Sequence, residues 1–396
     1  MKKILKVKYK IIVITIEIIT LFLIFFLSYN FLIMPKGKQT FYLPASNMTT
    51  LKTTLEENGY KIYMLDKLLL PFIEVPEKGW YSIYDNEGRY FFFTNLYRKK
   101  TPPSQLMTVK VFAGETSMEL SKRLANDMDL NTTHLLNVYQ QKTLYKEGDI
   151  FEGRYTLAKK IDEETALSYL FEVSKEKFQD FEMNITKKTL STPEKKILLN
   201  IASIIQKESN AKEEMPIISS VIYNRLKKNM RLQMDGTLNY GKYAHTIVTP
   251  ERIKTDESLY NTYKHKGLPP TPLSTVSIEA LKAAYNPKNS KYLFFMLTQN
   301  GTHVFAEDYK KHLLNVHKFK EAMKDKNSTK EQNSTKKSSS ETIKKSPILH
   351  TSDTKKKSSK KAKSEKKSNT IKEKKVIKIK EHNKTTKKSI TIEHVL

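Results

Sequence analysis

Glu208 closes an apolar helical stripe within the stretch Leu198–Gly241, and a carboxyl so placed is equipped for proton transfer. Ile197, Ile201 and Ile204 recur at helical spacing, and Glu208 is the next position on their face, within about 20° of Ile197 and Ile201. A carboxyl held there loses water, its pKa rises, and it stays protonated near neutrality as a general acid must. The spacing also admits a plainer outcome, in which the helix frays after Ile205 and Glu208 is an ordinary surface residue. Further on, Gln233 and Asp235 alternate with Leu232 and Met234, which sets the two polar side chains on one face of an extended segment. So displayed, they can bond to sugar hydroxyls and N-acetyl groups; the alternative is a turn at Asp235-Gly236 with a solvated carboxylate. Tyr260, Asn261 and Tyr263 precede Gly267-Leu268-Pro269-Pro270-Thr271-Pro272, whose prolines stiffen a loop that can serve as a cleft wall at low entropic cost. His245, His265, His303 and His312 lack ligand spacing, so no metal is expected, and without a Gly-rich phosphate loop or nucleophile elbow no cofactor is expected either.

These residues need rigid supports, and the sequence supplies signals for them. Ser191 or Thr192 can cap the Glu208 helix, Pro193 suits its first turn, and Glu194 stands at capping-box spacing from Ser191. A second helix follows with Ile218, Val221, Ile222 and Leu226 inward and Asn224 and Arg225 near its end. Beyond it, ALKAAYNP reads as a short helix stopped by Pro287, YLFFML as a buried strand, and Thr302–Phe305 as another strand.

Around this region the chain divides by composition. Residues 1–10 are a lysine-rich stub, and 11–34 is an apolar run that at 1.5 Å per residue spans about 36 Å, enough to cross a bilayer. Its lysine flank places the N-terminus in the cytoplasm and the bulk of the chain outside; Glu17 is a polar anomaly within the run. Residues 39–103 are expected to form a small β-rich unit from FYLP, GYKIYML, GWYSIYD and RYFFFTNLY, with Trp80 in its core or stacked on sugar. Residues 105–182 read strand–helix–helix–strand with Thr116 as a helix cap, an order that resembles a LysM module, and Thr165–Phe181 is a helix leading onward. Residues 184–322 are the mixed α/β domain that carries Glu208. Most of the formal charge of +28 sits at the ends: from Lys326 onward 22 lysines face 7 acidic residues. That tail, 324–396, has too few apolar residues to fold and is expected to be disordered and solvated. Lysine without arginine or interleaved aromatics gives no reason to expect a nucleic-acid partner. The chain has no cysteine, which removes disulfides, thiolate metal sites and thiol nucleophiles.

Taken together in order and spacing, ASIIQKES, VIYNRL, MRLQMDGT, LYNTY, GLPPTPLS, ALKAAYNP, YLFF and THVFAEDYKKH resemble the endolytic murein transglycosylases, the membrane-anchored lytic transglycosylases of G type. The resemblance covers Asn184–Val316. It implies an α+β protein with an N-terminal transmembrane helix, in the bacterial inner membrane and with its bulk periplasmic. It also implies cleavage of peptidoglycan glycan strands at MurNAc-β-1,4-GlcNAc bonds to give 1,6-anhydro ends. It makes Glu208 the catalytic acid and Gln233, Asp235, Asn261, Tyr263 and Ser209 the residues expected to hold sugar. Cell-wall synthases are candidate partners. Gln206 stands where many members carry a second acid, which points more firmly to Glu208. Gly236 stands where members carry Pro or Ser, and it is expected only to loosen a turn. RYTLAKK after Glu152-Gly153 departs from the family's Pro-Asp-Thr-Tyr run. Two rivals remain open: a catalytically inactive glycan-binding or synthase-scaffolding protein, and a membrane-tethered basic nucleic-acid binder.

Overall fold

In the computed structural model α1 runs from Lys2 to Phe31, and Lys6–Phe31 is long and apolar enough to cross a membrane. The structure describes residues 2–31, 35–84 and 87–321. The expected solvated tail over 324–396 and the last positions of the expected span, 32–34, lie outside them.

After α1 come β1 (Thr40–Leu43), α2 (Met48–Glu57), α3 (Met64–Leu69), β2 (Gly79–Ser82) and α4 (Arg89–Thr94). Two of the four segments expected as strands are therefore corrected to helices, within GYKIYML and RYFFFTNLY. The cause is a long-range ion pair. Asp66 Oδ2 accepts from the Tyr63 N–H at 2.6 Å and caps α3, while its carboxylate is bonded by the Arg89 guanidinium at the start of α4, both side chains buried. β1 and β2 pair antiparallel, Phe41 opposite Tyr81 and Tyr42 opposite Trp80. Trp80 is buried against Tyr42 and Tyr169, and its indole N–H donates to the Thr156 carbonyl at 2.7 Å, so it is a core residue with no face for a sugar.

Next are β3 (Leu106–Val111), α5 (Ser117–Met128), α6 (Thr132–Lys142) and β4 (Gly153–Ala158), the expected strand–helix–helix–strand order, with β3 antiparallel to β4. Thr116 caps α5 through a capping box with Glu119. Val109, Leu120, Leu124, Tyr139 and Leu157 fill one core here, closed by Leu167 and Leu170 of α7 (Glu163–Phe181).

The remainder is α8 (Thr192–Glu208), α9 (Met215–Lys227), α10 (Pro250–Thr255), α11 (Ile278–Tyr285), β5 (Phe294–Leu297) and β6 (His303–Ala306). Ile201 and Ile204 of α8, Ile218 and Val221 of α9 and Leu281 of α11 share a core with Phe151 and Phe178. β5 pairs antiparallel with β6, but its residues are partly exposed, because a two-stranded ribbon covers only one of its faces; the expectation of a fully buried strand is corrected. Residues 309–321 are helical and belong to a second compact unit.

Candidate active site

Ser191 and Glu194 form the capping box of α8, with the Glu194 carboxylate accepting from the Ser191 N–H at 2.7 Å. The helix then runs unbroken to Glu208, and the fraying alternative does not occur. Ser209 follows in extended conformation, its N–H still donating to the Ile205 carbonyl. The acid is therefore the last helical residue, delivered by a buried, fully hydrogen-bonded rod.

The turn beyond it is pinned from the side. Ser209 Oγ accepts from the Ala211 N–H at 3.0 Å and donates to Glu214 at 3.2 Å. Glu214 in turn binds the backbone N–H and ring of His303 at the start of β6, at 2.7 and 2.6 Å. Burial pushes the Glu214 carboxyl up, but the His303 ring, its N–H and Ser209 outweigh this and hold it below the usual range.

Opposite α8, residues 230–238 are irregular and then 3₁₀ (Asp235–Leu238). Burial alternates as expected: Leu232 and Met234 are buried, Gln233 and Asp235 exposed. The Arg225 guanidinium ties this segment down, donating to the carbonyls of Arg231 and Leu232 at 3.0 and 2.9 Å and to Gln233 Oε1 at 3.1 Å. Gln233 adopts φ 51°, a left-handed backbone of the kind that concentrates at functional sites. The N–H groups of Gln233 and Met234 both donate to Thr262, at its carbonyl and hydroxyl. The neighbouring Tyr263 thereby reaches Asp235, donating from its phenol to Oδ1 at 2.6 Å.

Gly236 joins the two sides. Its N–H donates to Glu208 Oε1 at 2.9 Å. A Cβ there would stand 2.7 Å from Lys207 Cβ and 2.9 Å from Glu208 Oε1. The expectation of a merely looser turn is corrected: the position requires glycine for close approach, and a proline would lack the donor. Burial pushes the Glu208 carboxyl up to about 7, the Asp235 charge adds to this, and the Gly236 N–H opposes it. Burial and the bond to Asp235 likewise raise the Tyr263 phenol.

Glu208, Asp235 and Tyr263 are thus brought together, with Gln233 beside them through Arg225. Asn261 is placed differently. It is fully buried, its amide donates to the Ile253 and Asp256 carbonyls at 2.8 and 2.7 Å, and its oxygen accepts from the Tyr263 N–H, so it shapes the loop that carries Tyr263. Gln206 points away from the acid: its oxygen accepts from Ser277 Oγ at 2.7 Å, at the cap of α11. The proline-rich loop is also largely buried, with Asn200 donating to the Pro269 carbonyl at 2.6 Å. A recess of about 480 Å³ lined by Tyr84, Glu87, Arg98, Lys99 and Lys100 shares no residue with this cluster.

Sequence reasoning missed Arg225, Gly236, Lys207 and the Glu214–His303 pair. Arg225 and Gly236 stood out locally, one as a cation at a helix end and the other at a turn, but neither position by itself shows the loop clamp or the close approach to Glu208. Lys207 Nζ donates to the Gly114 carbonyl at 2.6 Å, and residues 112–115 are laced to Thr275, which brings the β3–α5 turn alongside the last turn of α8. Among the described residues no group of three or more His, Asp or Glu side chains is placed to hold a metal.

A helix-terminal carboxyl, raised in pKa beside a second carboxylate and a tyrosine on an α+β scaffold, is an arrangement chemically able to give up and take back a proton. The chain belongs to the YceG-like family, whose model matches residues 45–318. Among similar proteins, the endolytic murein transglycosylase of Bacillus subtilis strain 168 is 36% identical over 129 residues, 33% of this chain and 36% of that protein. The endolytic murein transglycosylase of Streptococcus pneumoniae serotype 2 is 30% identical over 176 residues, 43% of this chain and 31% of that protein. The match thus spans about a third of these relatives' length. A crystal structure of a YceG-like protein from Listeria monocytogenes aligns with a TM-score of 0.46 and 23% identity, covering 70% of this chain and 98% of that one.

Proposed function

We propose that this chain is a membrane-anchored lytic transglycosylase that cuts MurNAc-β-1,4-GlcNAc bonds inside peptidoglycan glycan strands. The supporting observation is the Glu208 carboxyl, pushed up to about 7 and fixed by the Gly236 N–H beside Asp235 and Tyr263. Glu208 gives its proton to the leaving GlcNAc oxygen as the bond from the MurNAc anomeric carbon breaks. The MurNAc 6-hydroxyl then attacks that carbon, and Glu208, now ionised, takes the hydroxyl proton. The product is a 1,6-anhydro end and no water is consumed. A group with its pKa near the working pH serves in both directions. Gln233, Asp235 and Tyr263 hold sugar, Ser209 orients the acid through Glu214, and Asn261 supports Tyr263.

The β3–α5–α6–β4 unit acts as a LysM-like glycan grip, and its 113–115 turn lies next to the acid through Lys207. Helix α1 anchors the chain in the cytoplasmic membrane with the lysine-rich N-terminus inside and the remainder in the periplasm. This membrane places the site over nascent strands, where cutting limits strand length. Purified sacculi incubated with the full chain in detergent test the reading. The wild-type protein is expected to release anhydro-muropeptides and Glu208→Gln to release none. Sacculi that are bound but uncut by the wild-type protein would mark a glycan-binding scaffold instead.

A further inference from the structure

Helix α3 is built inside out. Its buried residue is Asp66, whereas Met64, Leu65 and Leu68 are exposed, and Phe72, just beyond the helix, is 86% exposed. A helix turned toward water shows the reverse pattern, and a contiguous apolar patch of this kind marks an interaction surface. Its location names the occupant. The Tyr29 phenol, in the last turn of α1, donates to the same Asp66 at 2.5 Å, and Asn30 Oδ1 accepts from the Tyr90 N–H at 3.0 Å. Phe26 meets the Tyr90 ring edge-on at 5.5 Å, and next to Tyr90 the ring of Phe91 is exposed. Phe26 lies five residues before the end of α1, about 7 Å along the axis. That is the depth at which interfacial elements sit, about 5–10 Å into the headgroup and acyl boundary. Lys61 and Lys67, both exposed, fringe the apolar surface, with Glu74 beyond it.

We propose that α3, the turn to Phe72 and the start of α4 form a collar that inserts into the outer surface of the bilayer around the exit of α1, favouring anionic phospholipid. The collar rests on the reading that α1 spans that bilayer. Continuity with α1 is what selects lipid over a protein partner: α3, which carries the exposed Met64 and Leu68 and leads directly to Phe72, and α4, which carries Phe91, are the two elements bonded to its last turn. Asp66 and Arg89, which hold those elements together, are sealed beneath the patch. The catalytic part is thereby attached to the membrane through a rigid mount, and not through a single swivelling helix.

The absence of cysteine makes the test direct. Single-cysteine variants Phe22→Cys, Leu68→Cys, Phe72→Cys and Lys122→Cys of the full chain are labelled with bimane and reconstituted into phosphatidylglycerol–phosphatidylcholine vesicles. Quenching by brominated acyl chains is compared with quenching by aqueous iodide. The collar predicts strong bromolipid quenching and weak iodide access at positions 22, 68 and 72, and the opposite at 122. Iodide-accessible labels at 68 and 72 with a bromolipid-quenched label at 22 would overturn the collar while leaving the anchor in place. Labels at 68 and 72 shielded from both quenchers would mean a protein or a second copy covers the patch, which also overturns it. A label at 22 without bromolipid quenching would remove the anchor and the collar together.

Discussion

Replacing Glu208 by glutamine separates the chemistry of the acid from the cost of burying it. The carboxyl is pushed from 4.5 to about 7 on folding, chiefly by burial. Each pKa unit corresponds to about 1.4 kcal/mol, so the full shift would amount to about 3 kcal/mol. The residue is partly exposed, and solvent screening brings the expected figure to about 1–2 kcal/mol. The sign follows from proton binding. Between pH 4.5 and about 7 the folded state holds a proton that the unfolded state has released, so stability falls as pH rises through that window and levels off above it. Glutamine has no charge to desolvate, and its oxygen can still accept from Gly236. The variant should therefore unfold like the wild-type protein at pH 5 but about 2–6 °C higher at pH 9. The assay is thermal unfolding of the detergent-solubilised full chain across that range. Parallel curves for the two proteins at every pH would refute the claim that this carboxyl is desolvated. Glycan cleavage by the same variant should drop by at least about 100-fold, the contribution expected of a general acid.

Other consequences concern the supports. Gly236→Ala forces a Cβ against Lys207 and Glu208, so activity should fall at least about tenfold with a lower melting temperature, overpacking of this kind costing about 1–3 kcal/mol. Tyr263→Phe removes the bond to Asp235 and should raise KM several-fold for a soluble glycan while changing stability by only about 1 kcal/mol, as steady-state kinetics and urea unfolding would show. Asp66→Ala strands the buried Arg89 and should cost about 3–5 kcal/mol, read as early unfolding of the N-terminal region by hydrogen exchange. Cleavage by the wild-type protein should decline as pH rises above about 7, because the proton that Glu208 must donate is lost there. A rate that climbs steadily to pH 9 would contradict that assignment.

The parts of this site legible in the sequence are those governed by short-range rules. Ser191, Pro193 and Glu194 announce α8, and isoleucines at helical spacing place Glu208 on its inner face. Leu232 and Met234 likewise betray which way Gln233 and Asp235 turn. What could not be read depends on partners distant in the chain. The segments at residues 59–65 and 89–97 look like strands because aromatic residues favour sheets, yet Asp66 and Arg89 lock them as helix ends against α1. Asn261 looks like a sugar ligand because its amide suits hydroxyl groups, but two backbone carbonyls claim it first. The role of Gly236 is invisible locally, since it arises from how closely residues 235–238 approach a helix that ended almost thirty residues earlier.

In the proposed reaction Glu208 serves as both acid and base in a cleavage that uses no water. Digestion of purified sacculi by the full chain in heavy-oxygen water, followed by mass spectrometry of the new MurNAc ends, tests it most directly. The expected products are 1,6-anhydro ends carrying no heavy oxygen. Reducing MurNAc ends with one heavy oxygen each would show that water is the nucleophile and that Glu208 and Asp235 act together as a hydrolase.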